Sequence, residues 1–339
     1  MANATSNPPT YNLITIGNAL IDLLAHTNEA YLAAQKEAFG MEKGSMNLVD
    51  EQRALALYDD MDKPIKMSGG SAGNTMACFA SLGGKGAYIG KVANDSLGQT
   101  FAESLQMIGV HYDTKPLENA APTGRCMILV TPDGERTMNT FLGAAVELTP
   151  DDIPEELISD AKVTYLEGYL YDPPQAMEAF IKAARIAHKA GRMVSLTLSD
   201  AFCVGRHREA FKDLVLHHVD ILFANEDEII SLYEADTLDE ALDSVEKECA
   251  IAAITRSEKG SIIINSGKRT HIAAEPVAAV VDTTGAGDAY AAGFLYGFTQ
   301  NMSMAECGRI ASIAAAEVIS HMGPRPETAL ATLLDKKAA

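Results

Sequence analysis

Paired cysteines, a leader segment, a long apolar run and an excess of positive charge are all missing from this chain, and each absence excludes a class of function. The five cysteines, Cys78, Cys126, Cys203, Cys249 and Cys307, are never closer than 46 residues. No CxxC spacing for zinc or redox chemistry exists among them, and an odd, scattered set predicts buried or free thiols in a reducing compartment. The opening residues, MANATSNPPTYN, have no basic patch followed by an apolar stretch, so they do not read as a signal peptide. No run approaches the roughly 18 apolar residues of a membrane span. The cytoplasm is the expected location. Acidic side chains outnumber basic ones by 46 to 27, for a formal charge of −19. Such a chain is repelled by nucleic-acid backbones and by anionic membranes, so neither is an expected partner. A nucleotide remains open as a ligand, because a helix N-terminus binds phosphate through backbone N–H groups.

Two glycine-loop fingerprints are absent as well. No GxxxxGK[ST] occurs, and after Gly285 and Gly287 the third glycine position of a GxGxxG pattern is Tyr290. P-loop and dinucleotide-binding chemistry are therefore disfavoured. The eight histidines form no catalytic arrangement: His217 and His218 precede an apolar run, and His111 lies near a loop.

What is present is an ordinary globular composition, 47% hydrophobic and 22% charged over 339 residues, enough for one large domain and a smaller one. Residues 1–10 read as a frayed arm, and Asn12–Ile16 as a first strand ending at Gly17. From about Asp160 the pattern alternates. Strands are expected at Val163–Leu166, Met193–Leu198, Val219–Ala224, Ile251–Thr255 and Ser261–Ile264. Helices are expected at Pro174–Ala190, at Arg208–Leu216 and from Glu226. Alternation of this kind implies an α/β fold with a mainly parallel sheet sandwiched by helices, whose ligands bind beyond the carboxyl ends of the strands. Two segments interrupt it. Residues 23–48 show no obvious crossover helix, and residues 123–142 read as two strands around the turn Thr131-Pro132-Asp133-Gly134. The expected division is a large domain of residues 11–22, 49–121 and 143–339, with a discontinuous β-rich lid of residues 23–48 and 122–142.

The segment with the clearest chemistry is Asp282-Thr283-Thr284-Gly285-Ala286-Gly287-Asp288. Val277–Val281 before it reads as a strand, and Ala289–Phe298 after it as a helix. A glycine turn at a helix N-terminus lets backbone N–H groups approach an anion, and the helix dipole adds favourable potential. Asp288, in the first turn, is aimed at the same spot. Donors for a moving phosphoryl group together with a carboxylate for a hydroxyl proton suit phosphoryl transfer. A lone GAGD would more readily be a turn with an acid complementing the dipole. Likewise Asn225-Glu226-Asp227-Glu228, at the end of a buried strand, offers hard oxygen ligands but also reads as an N-cap and a charged first turn.

Two long segments turn this into a resemblance. DTTGAGDAYAAGF (282–294) and GGSAGNTMACFASLGG (69–84) resemble the C-terminal and N-terminal signatures of the ribokinase-like, PfkB-type carbohydrate and nucleoside kinases. The likeness runs from Gly17 to about Pro326. It implies a ribokinase-like fold and ATP as co-substrate. It implies Asp288 as general base, Gly285, Ala286 and Gly287 as an anion hole, and Arg136 as a lid residue reaching the transferred phosphate. Asn225 and Glu228 match an NxxE element that organises Mg2+ and the phosphates. Thr255, Arg256 and Gly260, in TRSEKG, match a nucleotide loop. Asp282 and Thr284 match positions near a K+ site. Asn18, Asp22, Gly69, Gly70, Ser71 and Asn74 match sugar-binding and hinge positions.

Within the family the chain is most similar to the adenosine kinase branch. The similarity lies in YNLITIGNALIDLLA (11–25), PTGRC (122–126), residues 196–228 and ASIAAAEVISHMGPRP (311–326). It implies transfer of the γ-phosphoryl group to the 5′-hydroxyl of adenosine, with Cys126 lining the pocket; Met138 and Leu142 read either as further apolar wall or as plain core. There are departures. Met46 stands where a polar residue is common, and Leu170 where an aromatic often stacks on the base; Tyr169 and Tyr171 flank it, so either the stack shifts to a neighbour, with Tyr169 as the candidate, or the pocket prefers a different ring. A kinase of free sugars and a binding protein without turnover remain alternatives. Monomer and homodimer are both open.

Overall fold

A computed structural model describes residues 8–133 and 135–338. Part of the expected frayed arm and Gly134 of the expected hairpin turn lie outside the described residues. The chain builds two sheets. The first has nine strands in the order β14-β13-β12-β11-β10-β9-β1-β5-β6. Its parallel body consists of β1 (Tyr11–Ile16), β5 (Gly86–Ile89), β6 (His111–Tyr112), β9 (Ala161–Glu167), β10 (Met193–Thr197), β11 (Ile221–Asn225) and β12 (Ile251–Thr255). β13 (Ser261–Asn265) and β14 (Lys268–Ile272) extend it antiparallel. This is the mainly parallel, helix-covered sheet that the alternating pattern implied.

Both faces are covered because the parallel strands are apolar on both sides. One face carries α5 (Glu155–Ser159), α6 (Pro174–Lys189), α7 (Ala201–His218), α8 (Glu226–Tyr233) and α9 (Leu238–Glu248), packed on Ile14, Ile16, Leu166 and Leu222. The other carries α3 (Ser71–Ser81), α10 (Ala286–Thr299) and α11 (Met304–Val318), packed on Leu13, Val163, Tyr165 and Phe223. α12 (Leu330–Ala338) follows α11, and α4 (Ser96–Met107) flanks the β5–β6 edge. The register puts Ile16 of β1, Leu166 of β9 and Leu196 of β10 side by side, so these strands end together on one rim.

The second sheet has five strands in the order β3-β8-β7-β2-β4. They are β2 (Leu20–His26), β3 (Met46–Leu48), β4 (Ile65–Gly69), β7 (Thr123–Val130) and β8 (Arg136–Gly143), with α1 (Glu29–Phe39) and α2 (Glu51–Asp60) in the connections. This small sheet is wider than the segments 23–48 and 122–142: β2 starts at Leu20, and β4 lies beyond residue 48. Asp22 therefore belongs to the small sheet and not to the large domain in which the expected division placed it. The chain leaves β1 at Gly17, where a Cβ would lie 2.3 Å from the Glu167 carboxylate and 2.5 Å from Ala72. Only a glycine lets the backbone pass there.

Other expectations shift. Residues 23–48 do contain a helix, α1, started by the Asn28 side chain accepting from the Tyr31 N–H and ended by Gly40 at φ 71°. It buries only Leu32, so its apolar stripe is too thin to read in the sequence. The helix expected over Arg208–Leu216 runs from Ala201 to His218 with a break in helical geometry at His207. Val277–Val281 is not a strand. It has no sheet neighbour, Val280 and Val281 are 59% and 44% exposed, and its tie to the body is the Val281 N–H bond to the Ile319 carbonyl. All five cysteines are free thiols, and all are buried.

The core beneath the rim is aromatic. Phe294 of α10 is fully buried and meets Phe223 of β11 edge-on, with ring centroids 5.4 Å apart. Phe294→Ala is expected to lower the unfolding free energy by about 3–5 kcal/mol, through lost burial plus a cavity, measured by urea titration.

Candidate functional site

The glycine segment forms the N-terminus of α10. Gly285 is its N-cap at φ 78°, and a Cβ there would run into Pro324 at 2.7 Å. The Ala286 N–H turns back to the Thr283 carbonyl, and that of Ala289 makes the first helical bond, to Gly285. The amides of Gly287 and Asp288 between them have no helical acceptor. A Cβ on Gly287 would meet nothing within 4 Å, so this turn opens on free space. Of the expected anion hole, Gly285 supplies the turn and Gly287 the opening, while the Ala286 amide is already engaged.

Asp288 sits in that first turn, half-buried. Its Oδ1 accepts from the Ser71 hydroxyl at 2.5 Å and its Oδ2 from the Asn74 amide at 3.2 Å. Both partners lie on the first turn of α3, which follows Gly70. Gly70 has φ 81°, and a Cβ there would lie 2.1 Å from the Asn18 carbonyl. Asn74 Oδ1 in turn accepts from Arg325 Nε at 3.3 Å, and Arg325 Nη1 donates to Ser104 at 3.2 Å. Burial pushes the Asp288 carboxyl up to about 6, against the pull of its two hydrogen bonds and of Arg325. That places it near the working range of a general base at neutral pH.

Across the gap stands Asp22. Its carboxylate covers Gly69, where a Cβ would fall 2.2 Å from it. Asp22 is buried, yet it has no hydrogen-bond partner among the described residues. Burial pushes its carboxyl up to about 7; Arg325 and Arg136 pull it down, and Asp288 adds to the rise. Asn18 presents a second open acceptor: its Nδ2 donates to Glu167 at 2.8 Å, but its buried Oδ1 has no partner. Glu167 ends β9 and is 1% exposed. It also accepts from the N–H groups of Ala72, at 2.7 Å, and Asn18, at 3.2 Å. It thereby ties the end of β1 to the start of α3. Burial pushes its carboxyl up to about 7.

Asp22 stands opposite Cys126 in the β2–β7 register. Alternation places Leu24, Cys126, Ile128 and Val130 on the same side of the small sheet, joined by Met67 and Met138. Cys126 accepts from the Thr140 hydroxyl at 3.2 Å, and burial pushes its thiol up to about 12. Met46 pairs with Met138 at the edge and is 38% exposed, and Leu142 is half-buried farther along β8. This is an apolar strip beside a bare carboxylate. Tyr169 does not join it. It lies in a short turn after β9, its N–H bonded to Ser199, and its charged neighbours are Asp200, Glu228 and Asp288. The adjoining Leu170 and Tyr171 turn into the core, Tyr171 against Phe180 and Phe211. The expected shift of an aromatic stack onto Tyr169 therefore finds no support in its surroundings.

Arg136 is buried, and its Nη2 pairs with Asp282 Oδ2 at 2.6 Å. Its Nε and Nη1 have no partner. The surface salt bridge that is the ordinary fate of a lone arginine is thus excluded, and two donors stay open. Asp282 also accepts from the N–H groups of Thr284, at 3.0 Å, and Gly323, at 2.8 Å.

Farther along the rim, Asn225 and Glu228 form a capping box. Asn225 Oδ1 accepts from the Glu228 N–H at 2.8 Å, and Glu228 takes the Asn225 side-chain amide at 2.6 Å and its backbone N–H at 3.1 Å. Burial pushes the Glu228 carboxyl up to about 7. Thr255 stands beside Asn225 in the sheet register, and Arg256 pairs with Glu226 at 2.9 Å. Gly260, at φ 82°, closes the turn where a Cβ would strike the Ile272 carbonyl. So the NEDE and TRSEKG segments lie together. Glu167 and Arg325 were not singled out in the sequence, although each has a faint signal: Glu167 as a lone acid ending the apolar run Val163–Leu166, Arg325 within GPRP near the C-terminus.

Residues 59–329 match the model of the pfkB family carbohydrate kinases. The chain belongs to that family. This pfkB-family kinase is a phosphotransferase acting on an alcohol group, and kinases of the family take ATP as co-substrate. It is similar to the adenosine kinase of Sinorhizobium meliloti, with 49% identity, a TM-score of 0.90, and coverage of 97% of this chain and 99% of that one. It is similar to a probable sugar kinase of Rhizobium etli, with 48% identity, a TM-score of 0.92 and the same coverage. Adenosine kinase of Saccharomyces cerevisiae is 27% identical over 335 residues, or 92% of this chain and 96% of that protein. Among the described residues, no helix of the kinase is long and apolar enough to cross a membrane.

A buried carboxylate without a partner is destabilising in its charged form. The folded value for Asp22 lies near 7, above the ordinary 3.8, so the folded protein holds this proton more tightly than the unfolded chain. Its contribution is fully present below about pH 4 and is lost as pH rises through about 7. Asp22→Asn is expected to raise the unfolding free energy of the ligand-free kinase at pH 7.5, by roughly 1–4 kcal/mol, and to give little gain at pH 4, in paired urea titrations.

Proposed function

We propose that this kinase transfers the γ-phosphoryl group of ATP to the 5′-hydroxyl of adenosine, giving AMP and ADP. The observation that carries the substrate choice is Asp22, a buried carboxylate with no protein partner, set beside the apolar strip from Leu24 to Met138. A carboxylate accepts well from adjacent ribose hydroxyls, and the Asn18 Oδ1 offers another acceptor. The flat aromatic faces of the base then find apolar wall from Cys126, Met138 and Leu142. The adenosine kinase of Sinorhizobium meliloti, similar over almost the whole chain, supports the same reading.

In this reading Asp288 takes the proton of the attacking hydroxyl as its oxygen bonds to the γ-phosphorus. The bond to the bridging oxygen breaks, and ADP leaves with that electron pair. The amides of Gly287 and Asp288 meet the developing charge, and the two open N–H donors of Arg136 reach it from the lid side. Asn74 and Ser71 orient the Asp288 carboxylate, with Arg325 behind Asn74. Closing of the small sheet over the cleft excludes water from the transferring group.

Mg2+ fits only a partly hydrated role. The Asn225 side chain is consumed by its capping box, and no group of three or more His, Cys, Asp or Glu side chains that could hold a metal occurs among the described residues. Glu228, with Asn225 fixing it, would hold the ion through water. The ion's chemistry is to neutralise phosphate charge. The Asp282 carboxylate does not fit a K+ ligand, because Arg136 and the amides of Thr284 and Gly323 already engage it. No step is assigned to K+.

A second reading, phosphorylation of a free sugar, draws on the probable sugar kinase of Rhizobium etli and on the same polar pair, Asn18 and Asp22. ADP release with Mg·ATP and adenosine, beside a panel of sugars and a control without acceptor, separates the two. Adenosine-dependent turnover is the expected result; turnover only with a sugar would discard the nucleoside pocket and keep Asp288 in its role.

Asp288→Asn is expected to leave ATP binding intact and lower kcat by about 10²–10⁴-fold. The base must be deprotonated, and its carboxyl lies near 6. In the parent enzyme kcat/KM is therefore expected to level off only above about 7, where Asp22 is ionised as well, and to fall as the pH drops through 7 and then 6. A profile flat down to pH 4.5 would assign the proton to another group.

A further inference from the structure

The small sheet meets the body a second time, behind the cleft. Strand alternation puts Leu23 of β2 and Arg125 of β7 on the face opposite Asp22 and Cys126, and Lys66 of β4 stands across from Leu23. With Tyr58 of α2 and the start of α4, they line a half-open pocket of about 270 Å3. Arg125 is 9% exposed. It has neither an ion pair nor a hydrogen bond with any described residue, and its enclosed Nε is an orphan donor. The Phe141 ring lies 5.9 Å from the guanidinium carbon. A buried cation without a counter-charge is strongly unfavourable unless an anion meets it.

The other walls have the same preference. Lys66 lies 5.4 Å over the Tyr58 ring and pairs with no acid among the described residues. The first turn of α4 points its positive end at the cavity, and the Ser96 amide at N1 has no helical acceptor. One acid lines the space, Asp95, and its oxygens are turned to donors of their own. They accept from the Gly98 amide at 2.8 Å, the Thr123 amide at 2.9 Å and the Thr123 hydroxyl at 2.7 Å. Those bonds hold its carboxyl below the usual range against the effect of burial. Two cations and a helix terminus therefore face a cavity whose carboxylate is already satisfied.

We propose that this cavity binds a small oxyanion of the phosphate class, either inorganic phosphate or the phosphate of a phosphomonoester. The bound anion bridges β4 and β7 of the small sheet to α4 of the body, away from Asp288 and the anion hole. The test is calorimetric titration of the kinase, its cleft first filled with a non-hydrolysable ATP analogue, against inorganic phosphate and, separately, glycerol 3-phosphate. One site per chain is expected, with whichever of the two binds more tightly naming the source. Arg125→Met is expected to weaken binding by at least about tenfold, the loss of a charge-assisted bidentate contact. The exposed Lys66→Met, which cannot threaten folding, is expected to weaken it by roughly threefold. Arg125→Met should also be no less stable than the parent without phosphate, because it removes an unpaired buried charge. Absence of a second anion site in the analogue-filled parent, or equal affinity in the parent and Lys66→Met and Arg125→Met, would overturn the proposal.

Discussion

The guanidinium of Arg325 is buried where the lid strand β2, the start of α3 and the start of α10 converge. It reaches Asn74 and Ser104 by hydrogen bonds and acts at a distance on both Asp22 and Asp288. Those acids come from separate elements, and Arg325 attracts both. Burial itself works against Arg325 and pulls its own protonation down, so the cluster is a balance of unfavourable desolvation against attraction. That balance explains why the carboxyl groups of Asp22 and Asp288 sit near neutrality while neither is locked in a tight ion pair. A full salt bridge to either would hold it far below the range in which a proton can be exchanged.

Some of the buried groups that lack a partner among the described residues lie around this cluster, while others, such as the Arg125 Nε, lie elsewhere. Among the described residues the Asn18 Oδ1, the Nε and Nη1 of Arg136 and the Nη2 of Arg325 have no partner, and the Asp22 carboxylate beside them accepts no hydrogen bond. Meanwhile Glu167, within the same rim, is fully engaged with three donors. The distinction is physical: Glu167 holds β1 against α3 and is structural in effect, whereas the other groups keep donors and acceptors unused. Folding tolerates a few such groups because the large aromatic and aliphatic cores on both faces of the main sheet supply the stability. Glycine plays the complementary part. At Gly69, Gly70 and Gly285 a methyl group would collide with Asp22, Asn18 or Pro324, and at Gly287 the missing methyl leaves the cleft open.

Much of the fold was legible because parallel strands buried on both faces leave apolar runs that cannot be mistaken for surface. The glycine turn before α10 was legible only through the longer segment around it, since GAGD alone reads more readily as an ordinary turn with an acid complementing the helix dipole. Helix α1 and strand β4 escaped because they bury little, and a half-exposed element carries a weak pattern. Val277–Val281 misled in the opposite direction. Its residues have the chemistry of a strand, but no neighbouring strand is there to pair with, and they stay in the open. Glu167 and Arg325 were hidden because single charged residues become informative only when their partners, 95 and 251 residues away along the chain, are brought beside them.

By itself, the sequence determined the layered α/β class, the helix-terminal turn with its aspartate and the kinase family, since all of these rest on local spacing of residue types. Tertiary structure alone decided that Arg136 is tied to Asp282, that Asn225 and Glu228 cap each other, and that Asp22 stands bare against an apolar strip. It also decided that Tyr169 faces a different set of neighbours. Each of these is a matter of which charge lies next to which in a medium of low polarity. The energy of such pairs depends on distances of a few ångströms and on burial, which no one-dimensional pattern records.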